Sequence, residues 1–227
     1  MSIQFKNRKS YIYLFTKVIA AGLNLLSIAL FTRLLDADLY GNYLLFSSYV
    51  TLVCALLFWW HRLSVYRYYY KFEDEYGSYI KTSYYLYASL IVLVIILCCI
   101  VLVMPISPTI KSLVYVCGVG AIVKSNFDLN QNLFNISRCV NVFGINVIIR
   151  PLIFIIIGFI LIFYFSINHG ALIYAFILSF LLIAIFSTYI ILKNSPRGIF
   201  RWDITGKFVS YGFPMIGLFV FDYILSF

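Results

Sequence analysis

The sequence predicts an all-α polytopic membrane protein, mainly from its composition and from the lengths of its apolar runs. Of its 227 residues, 63% are hydrophobic and only 11% are charged, whereas soluble domains are about 45–50% apolar. The mean hydropathy is +0.98. Because about 20 apolar residues of helix cross a bilayer core, these runs predict six complete transmembrane helices and the start of a seventh.

Charged residues, prolines and polar clusters interrupt the apolar runs and set the bounds of the predicted helices. We expect the first six helices to form one lobe within residues 1–207, and residues 208–227 to begin a second, truncated lobe. Neither a polar loop nor a basic anchor follows the seventh run. This favours a fragment of a longer chain over a protein that ends within the membrane. The predicted spans are 11–31, 40–60, 82–104, 111–138, 142–165, 170–192 and 208–227.

The positions of Lys and Arg predict the orientation of the helices, since short cytoplasmic loops retain positive charge. Twelve of these residues lie before span 1, between spans 2 and 3, at the end of span 4 and between spans 6 and 7. The opposite side has only Arg33 and Lys111. We therefore expect a cytoplasmic N-terminus and very short external loops. This topology explains the net charge of +9, and we expect no nucleic-acid partner.

The sequence contains no constellation typical of catalysis or of metal binding. Asp36-Ala37-Asp38 matches the DxD motif of metal-dependent sugar transferases, but it lies in a short connection without a nucleotide-sugar domain. His61 and His169 lie far in sequence from any Cys or acidic cluster, so neither a metal site nor a nucleophilic triad can be assembled from them. We expect no catalytic residues, no metal and no cofactor.

A stripe of polar side chains in the fourth span is a candidate functional surface. Its members follow a spacing of 4, 3, 4 and 3 residues, which places them within about 80° on one face of an α-helix. Such a stripe inside a span lines a water-filled cavity or faces a polar partner helix. The members are Lys124, Asp128, Gln131, Asn135 and Arg138.

Two other interpretations of this stripe remain open. In the first, the span ends near Val123 and the rest is an amphipathic cytoplasmic segment. Polar residues on another face favour this interpretation, namely Asn126, Asn130 and Ser137. In the second, Lys124 and Asp128 neutralise each other as an ion pair, because residues four apart are neighbours on a helix.

Three cations lie inside or against long apolar stretches, at Lys17, Lys124 and Arg150. A charge at mid-bilayer costs at least about 2.5 kcal/mol, so such residues usually face a protein interior or a wet cavity.

Arg150 lies about eight residues, roughly 12 Å, into the fifth span. Pro151 follows it and frees a backbone carbonyl. Because arginine binds phosphate and carboxylate in a bidentate fork, Arg150 is the strongest candidate for anion contact. Its alternative roles are a salt bridge between packed helices and a cap on a backbone carbonyl.

Two further polar residues belong to this set of candidates. Asn24 shares a face of the first span with Lys17, which suits a cavity wall, although the flexible stem of Lys17 also allows its ammonium to reach the headgroups. Asp222 lies in the seventh run, where it has either a packing role or a role in coupling.

Several motifs resemble those of bacterial polysaccharide transporters, the O-antigen flippase branch of the MATE-like (MOP) superfamily. The stretch from Phe31 to Tyr43, FTRLLDADLYGNY, is similar to their signature after the first helix. That signature has a basic residue, two leucines, a short acidic linker and Tyr-Gly opening the second helix. The polar fourth span with Arg138 also matches, as do Arg67-Tyr68-Tyr69 and Tyr211-Gly212-Phe213-Pro214.

The resemblance implies two six-helix lobes around a central, often cationic cavity that alternates between the two sides of the membrane. It implies translocation of an undecaprenyl-diphosphate-linked oligosaccharide, an O-antigen or capsule repeat unit, across the bacterial cytoplasmic (inner) membrane. Lys17, Lys124 and Arg150 then face the cavity and attract the diphosphate or acidic sugars. The implied partners are the lipid-linked oligosaccharide, membrane lipids, a C-terminal lobe from the same or a second chain, and other glycan assembly proteins.

Other functional classes remain open beside this resemblance. A cation-coupled multidrug exporter of the same fold is expected to use acidic residues, whereas the first span carries Lys17 and no carboxylate. A membrane glycan polymerase needs a large external loop with arginines, and an acyltransferase needs a His at a membrane face. A structural subunit that requires a second chain also remains open, because one lobe cannot enclose a cavity. We expect a transporter and not an enzyme.

Overall fold

The computed structural model describes residues 2–165 and 170–225, with side chains described for 11–165 and 170–217. Helices and short connections make up this part of the chain, and it contains no strand. The helices are α1 (Ser2–Leu34), α2 (Ala37–Leu57), α3 (Trp59–Tyr68), the 3₁₀ helix η1 (Tyr69–Glu75), α4 (Tyr76–Val103), α5 (Pro108–Ile136), α6 (Val140–Phe163), α7 (Ala171–Asn194) and α8 (Trp202–Leu225).

Six helical segments in the described residues are long and apolar enough to cross a membrane, by length and composition. They correspond to the six predicted complete spans, so the all-α polytopic membrane fold is confirmed. The segments are Tyr11–Leu34, Ala37–Leu57, Trp59–Val103, Pro108–Ile136, Val140–Phe163 and Ala171–Asn194.

Several helices begin before the predicted spans. α1 starts at Ser2, α4 at Tyr76 and α8 at Trp202, each at least six residues earlier than expected. Hydropathy marks the part of a helix that is apolar, whereas Lys, Arg and Gln are also good helix formers. Polar residues therefore continue these helices beyond the apolar runs. The predicted division at residue 207 falls inside α8.

Helix α5 lies at the centre of the fold, in contact with α2, α3, α4, α6 and α7. It contributes to two hydrophobic clusters. In the first, Phe127 of α5 meets Phe180 of α7 edge to face, with ring centroids 5.1 Å apart. In the second, Leu129 and Leu133 of α5 pack with buried residues of α3, α4 and α8. This central position surrounds the polar residues of α5 with other helices.

The connection between α7 and α8 is fastened to the start of α4. The backbone N–H of Arg201 donates to Thr82 Oγ1 at 3.0 Å, and that of Ile199 donates to Ser78 Oγ at 3.2 Å. The guanidinium of Arg201 hydrogen-bonds to Glu75 and Asp203, which lowers the pKa of the Asp203 carboxyl. These contacts lead the chain into α8, which then packs against α3.

Helix α1 packs almost entirely on α6, and two glycines of α6 allow the close approach. A Cβ atom added at Gly158 would lie 2.5 Å from Phe31 Cζ, and one added at Gly144 would lie 2.7 Å from Thr16 Cγ2. Small residues at such contacts let helix backbones approach closely in membranes. The contact fixes which face of α1 lies beside α6.

We predict that Gly158→Ala destabilises the protein. Phe31 is 1% exposed, so its ring has little room to move, and overpacking of this kind costs about 1–3 kcal/mol. Thermal unfolding in detergent should show a lower Tm for this variant than for the wild type.

Gly22→Ala on α1 is the matched control, because nothing lies within 4 Å of a Cβ atom at that position. We expect it to leave the Tm unchanged or to raise it, since Ala is the better helix former by about 1 kcal/mol. Equal effects of the two substitutions would contradict the close α1–α6 contact.

Candidate functional site

The most concentrated charge inside the helical array is a cluster around Asp128. Its Oδ2 atom lies 3.3 Å from Arg62 Nη1 and 3.4 Å from Lys124 Nζ. The ion pair between Lys124 and Asp128 that the i,i+4 spacing suggested is therefore present. One carboxylate faces two cations, so the cluster carries a net positive charge.

Arg62 is the member of this cluster that the sequence did not indicate, because it lies in the predicted connection between spans 2 and 3. Helix α2 ends at Leu57, Phe58 adopts φ −114° and ψ −21°, and the chain resumes at once as α3. Asn132 Nδ2 of α5 donates to the Arg62 carbonyl at 3.0 Å and holds α3 against α5. The apolar run that continues through Trp59 and Trp60 is the signal that could have indicated a second helix here.

A cavity of about 290 Å³ opens beside these charges, between α2, α3, α4 and α5. The Asp128 side chain keeps 25% of its surface exposed and the Lys124 side chain 21%, so both are reachable from the cavity. The cavity is apolar on the side of α2 and polar on the side of α5. Lining residues include Thr51, Cys54, His61, Tyr87 and Ser125.

Polar groups of the cavity wall that do not carry charge are held in place by neighbours. His61 is 1% exposed, and its Nε2 lies 3.3 Å from Ser83 Oγ. The Tyr87 hydroxyl donates to the Ile122 carbonyl at 2.6 Å and lies 3.2 Å from Ser125 Oγ. These bonds leave Arg62, Lys124 and Asp128 as the charged groups with access to the space.

A second face of α5 holds the helices together. Asn130 is fully buried: its Oδ1 accepts from the Tyr84 hydroxyl at 2.6 Å, and its Nδ2 lies 2.9 Å from Thr188 Oγ1 and from Asn126 Oδ1. These bonds connect α4, α5 and α7. Asn126 and Asn130 thus bind other helices, and α5 runs unbroken to Ile136. The interpretation that the membrane span ends near Val123 stays a prediction, because a helix can continue beyond the bilayer.

The predicted polar stripe is only partly continuous. Gln131 is buried, and among the described residues neither its Nε2 nor its Oε1 has a hydrogen-bond partner. Asn135 is exposed. Arg138 lies beyond the end of α5 with φ 57°, so the prediction that it continues the helical face is wrong. The chain has left the helix there to enter the turn before α6.

Arg150 and Asn24 are brought together across the α1–α6 contact. Arg150 Nη2 donates to Asn24 Oδ1 at 2.9 Å, and the Arg150 Cζ atom lies 4.8 Å from the centroid of the Phe180 ring. α6 continues through Pro151, and within the described residues Arg150 forms no ion pair. Its guanidinium therefore has an amide and an aromatic face as neighbours, neither of which cancels its charge.

Lys17 lies further along the same face of α1. It is seven residues before Asn24, which corresponds to about two helical turns or 10 Å. Its side chain is exposed, with Nζ 4.8 Å from the centroid of the Tyr13 ring. Lys17 is therefore about two turns from the contact between Asn24 and Arg150, and among the described residues it forms no ion pair with Asp128. The side chain of Asp222 lies outside the described residues, as does His169.

Comparison with known proteins identifies no relative: no family model, no curated protein and no solved structure matches this chain. The helices, their lengths and their composition establish a multi-pass, all-α membrane protein. The geometry around Asp128 and Arg150 is thus the direct basis for a functional proposal.

We predict that Asn130→Leu lowers the free energy of unfolding by about 1–3 kcal/mol, because it leaves the Tyr84 hydroxyl buried without its acceptor. Unfolding in detergent, followed by circular dichroism, measures the change. Asn135→Leu is the control: this residue is exposed on the same helix, and such substitutions usually stay within about 0.5 kcal/mol. An Asn130→Leu variant as stable as Asn135→Leu would show that the buried network contributes nothing.

Proposed function

We propose that this protein is a membrane transporter, a flippase, that moves a lipid-linked oligosaccharide with an anionic diphosphate group across the membrane by alternating access. The cargo is an undecaprenyl-diphosphate-linked O-antigen or capsule repeat unit, and the protein transfers it without covalent change. The proposed location is the bacterial cytoplasmic (inner) membrane, with the N-terminus in the cytoplasm. The motifs between Phe31 and Tyr43 and at Tyr211–Pro214 support the choice of cargo through their resemblance to polysaccharide transporters.

The observation that carries the proposal is the excess of positive charge inside the helical array. Arg62, Lys124 and Arg150 lie on three different helices, and among the described side chains in this region only Asp128 opposes them. Charged groups inside membrane spans are costly and usually mark a substrate pathway. An excess of cations attracts an anionic cargo such as a diphosphate.

The guanidinium of Arg150 is well suited to bind such an anion. It has five N–H donors in a rigid fork, and in the described part of the chain only one hydrogen bond, to Asn24, is formed. Phe180 covers one face of the group and keeps water from that side. The remaining donors at its edge match two oxygens of a phosphate.

The depth of these groups also fits a pathway across the membrane. Lys124 lies 12 residues from the C-terminal end of α5, about 18 Å along the axis. Arg150 lies 10 residues from the start of α6, about 15 Å along that axis. Both distances are near half of a hydrocarbon core of about 30 Å.

Cation-coupled drug export is less well supported by the same geometry. Such a protein needs a carboxylate that is available to protons, sodium or cationic drugs, and Asp128 already contacts two cations. The C-terminal lobe, from the same longer chain or from a second chain, is proposed to provide the opposite wall of the cavity.

The proposal is tested by reconstituting the protein, together with the C-terminal lobe that is proposed to complete its cavity, in liposomes with a fluorescent polyprenyl-diphosphate oligosaccharide. Transfer between leaflets is measured as loss of fluorescence on adding a membrane-impermeant quencher. We expect Arg150→Gln to slow transfer at least about tenfold, equivalent to about 1.4 kcal/mol in the barrier.

Arg197→Gln provides the matched control, because Arg197 is an exposed arginine in the connection between α7 and α8, outside the motifs and the charged interior. We expect this variant to transfer the lipid at the wild-type rate. If Arg150→Gln also transfers it at the wild-type rate, Arg150 is not part of the pathway. If the wild type transfers no more than empty liposomes, the proposed function is wrong.

A further inference from the structure

The oxygen atom Oδ2 of Asp128 is shared by two cations that come from different helices. Arg62 approaches it from α3 at 3.3 Å, and Lys124 approaches it from the preceding turn of α5 at 3.4 Å. Both distances exceed the 2.7–2.9 Å typical of strong charge-assisted hydrogen bonds. The carboxylate therefore divides its charge between two cations and forms the closest type of ion pair with neither of them.

The geometry of the cluster resembles an anion site whose anion is part of the protein. Arg62 and Lys124 converge on one carboxylate oxygen at the wall of a cavity of about 290 Å³. Two cations converging on an oxygen is also how proteins bind phosphate groups. Asp128 thus occupies the position that an oxygen of an anionic ligand takes when the carboxylate moves away.

A second observation identifies a candidate alternative partner for the carboxylate, the side chain of Gln131. The Gln131 amide is buried, with the residue only 7% exposed, and within the described residues its Nε2 donor has no acceptor. A buried donor without an acceptor destabilises the protein. Gln131 lies three residues after Asp128, and residues three apart on a helix are neighbours with Cβ atoms about 5–6 Å apart.

We propose that Asp128 is an internal counter-anion: it holds Arg62 and Lys124 while the site is empty and turns to Gln131 when an anionic headgroup takes its place. This inference rests on the proposed function, since it assigns a role to Asp128 in binding the diphosphate of the cargo. In the empty state the carboxylate neutralises two cations and Gln131 remains unpaired. In the loaded state the phosphate oxygens contact Arg62 and Lys124, and Gln131 Nε2 donates to Asp128.

The exchange explains how a cationic site inside the helical array releases its ligand. A site with two unopposed cations binds a diphosphate tightly and lets it go slowly, whereas a carboxylate that competes for the same cations weakens the bound state. A hydrogen bond from the Gln131 amide partly offsets the loss of the two ion pairs that the carboxylate formed with the cations. Asp128 and Gln131 together keep the affinity of the site for its ligand low enough for the ligand to dissociate.

The test is a binding titration with geranyl diphosphate, a short prenyl diphosphate, on the purified protein in detergent. Tryptophan fluorescence reports binding, because Trp59 lines the cavity. We expect Arg62→Gln and Lys124→Gln each to weaken binding about tenfold, and Asp128→Asn to strengthen it about tenfold, which corresponds to about 1.4 kcal/mol.

Gln131→Leu should weaken binding in the wild-type background and have no effect in an Asp128→Asn background, as a double-mutant cycle requires of coupled residues.

Arg197→Gln controls for the loss of one positive charge, because Arg197 is exposed in the connection between α7 and α8 and lies outside the cluster. We expect it to bind geranyl diphosphate within about threefold of the wild type, near 0.7 kcal/mol. If the two cation variants bind weakly but Asp128→Asn binds no more tightly than the wild type, Asp128 does not compete with the ligand and the inference is wrong. If the wild type and every variant bind geranyl diphosphate no better than geraniol, the proposed function fails as well.

Discussion

The contact of one carboxylate with two cations, Asp128 with Arg62 and Lys124, is the interaction on which the interior of this protein depends. Without Asp128, two positive charges would lie unopposed between apolar helices, at a cost that membrane proteins rarely accept. With it, the cations of α3 and α5 are paired at the wall of the cavity between these helices. The cluster still keeps a net positive charge, and this charge gives the cavity its chemical character.

Helix α5 can present this cluster because its other faces are occupied by packing. Phe127 packs against Phe180 of α7, and Asn130 connects α5 to α4 and α7 through hydrogen bonds. Membrane helices gain little from apolar burial against one another, so close packing and polar contacts must hold them. The same device recurs at α1 and α6, where glycines allow close approach and Asn24 meets Arg150.

Composition and the lengths of the apolar runs were sufficient to predict the fold class, because a membrane imposes helix length and hydropathy on every span. Helical spacing was sufficient to predict that Lys124 and Asp128 share a face. Spacing gives the direction of a side chain but not the helix that it meets, so the contact of Arg62 with Asp128 was not predictable. Arg138 shows a second limit of spacing, which does not reveal where a helix ends. Its spacing matched the polar stripe, but α5 ends at Ile136, before Arg138.

The central claim is that the helical interior binds an anion through charge, and a ligand series on the wild-type protein tests it most directly. Geraniol, geranyl monophosphate and geranyl diphosphate share one prenyl chain and differ in the charge of the headgroup. The account predicts that affinity rises in that order and that added salt reduces the difference, as expected for partly exposed charges. Equal affinities for the three ligands would show that the chain binds only the prenyl tail and would contradict the account.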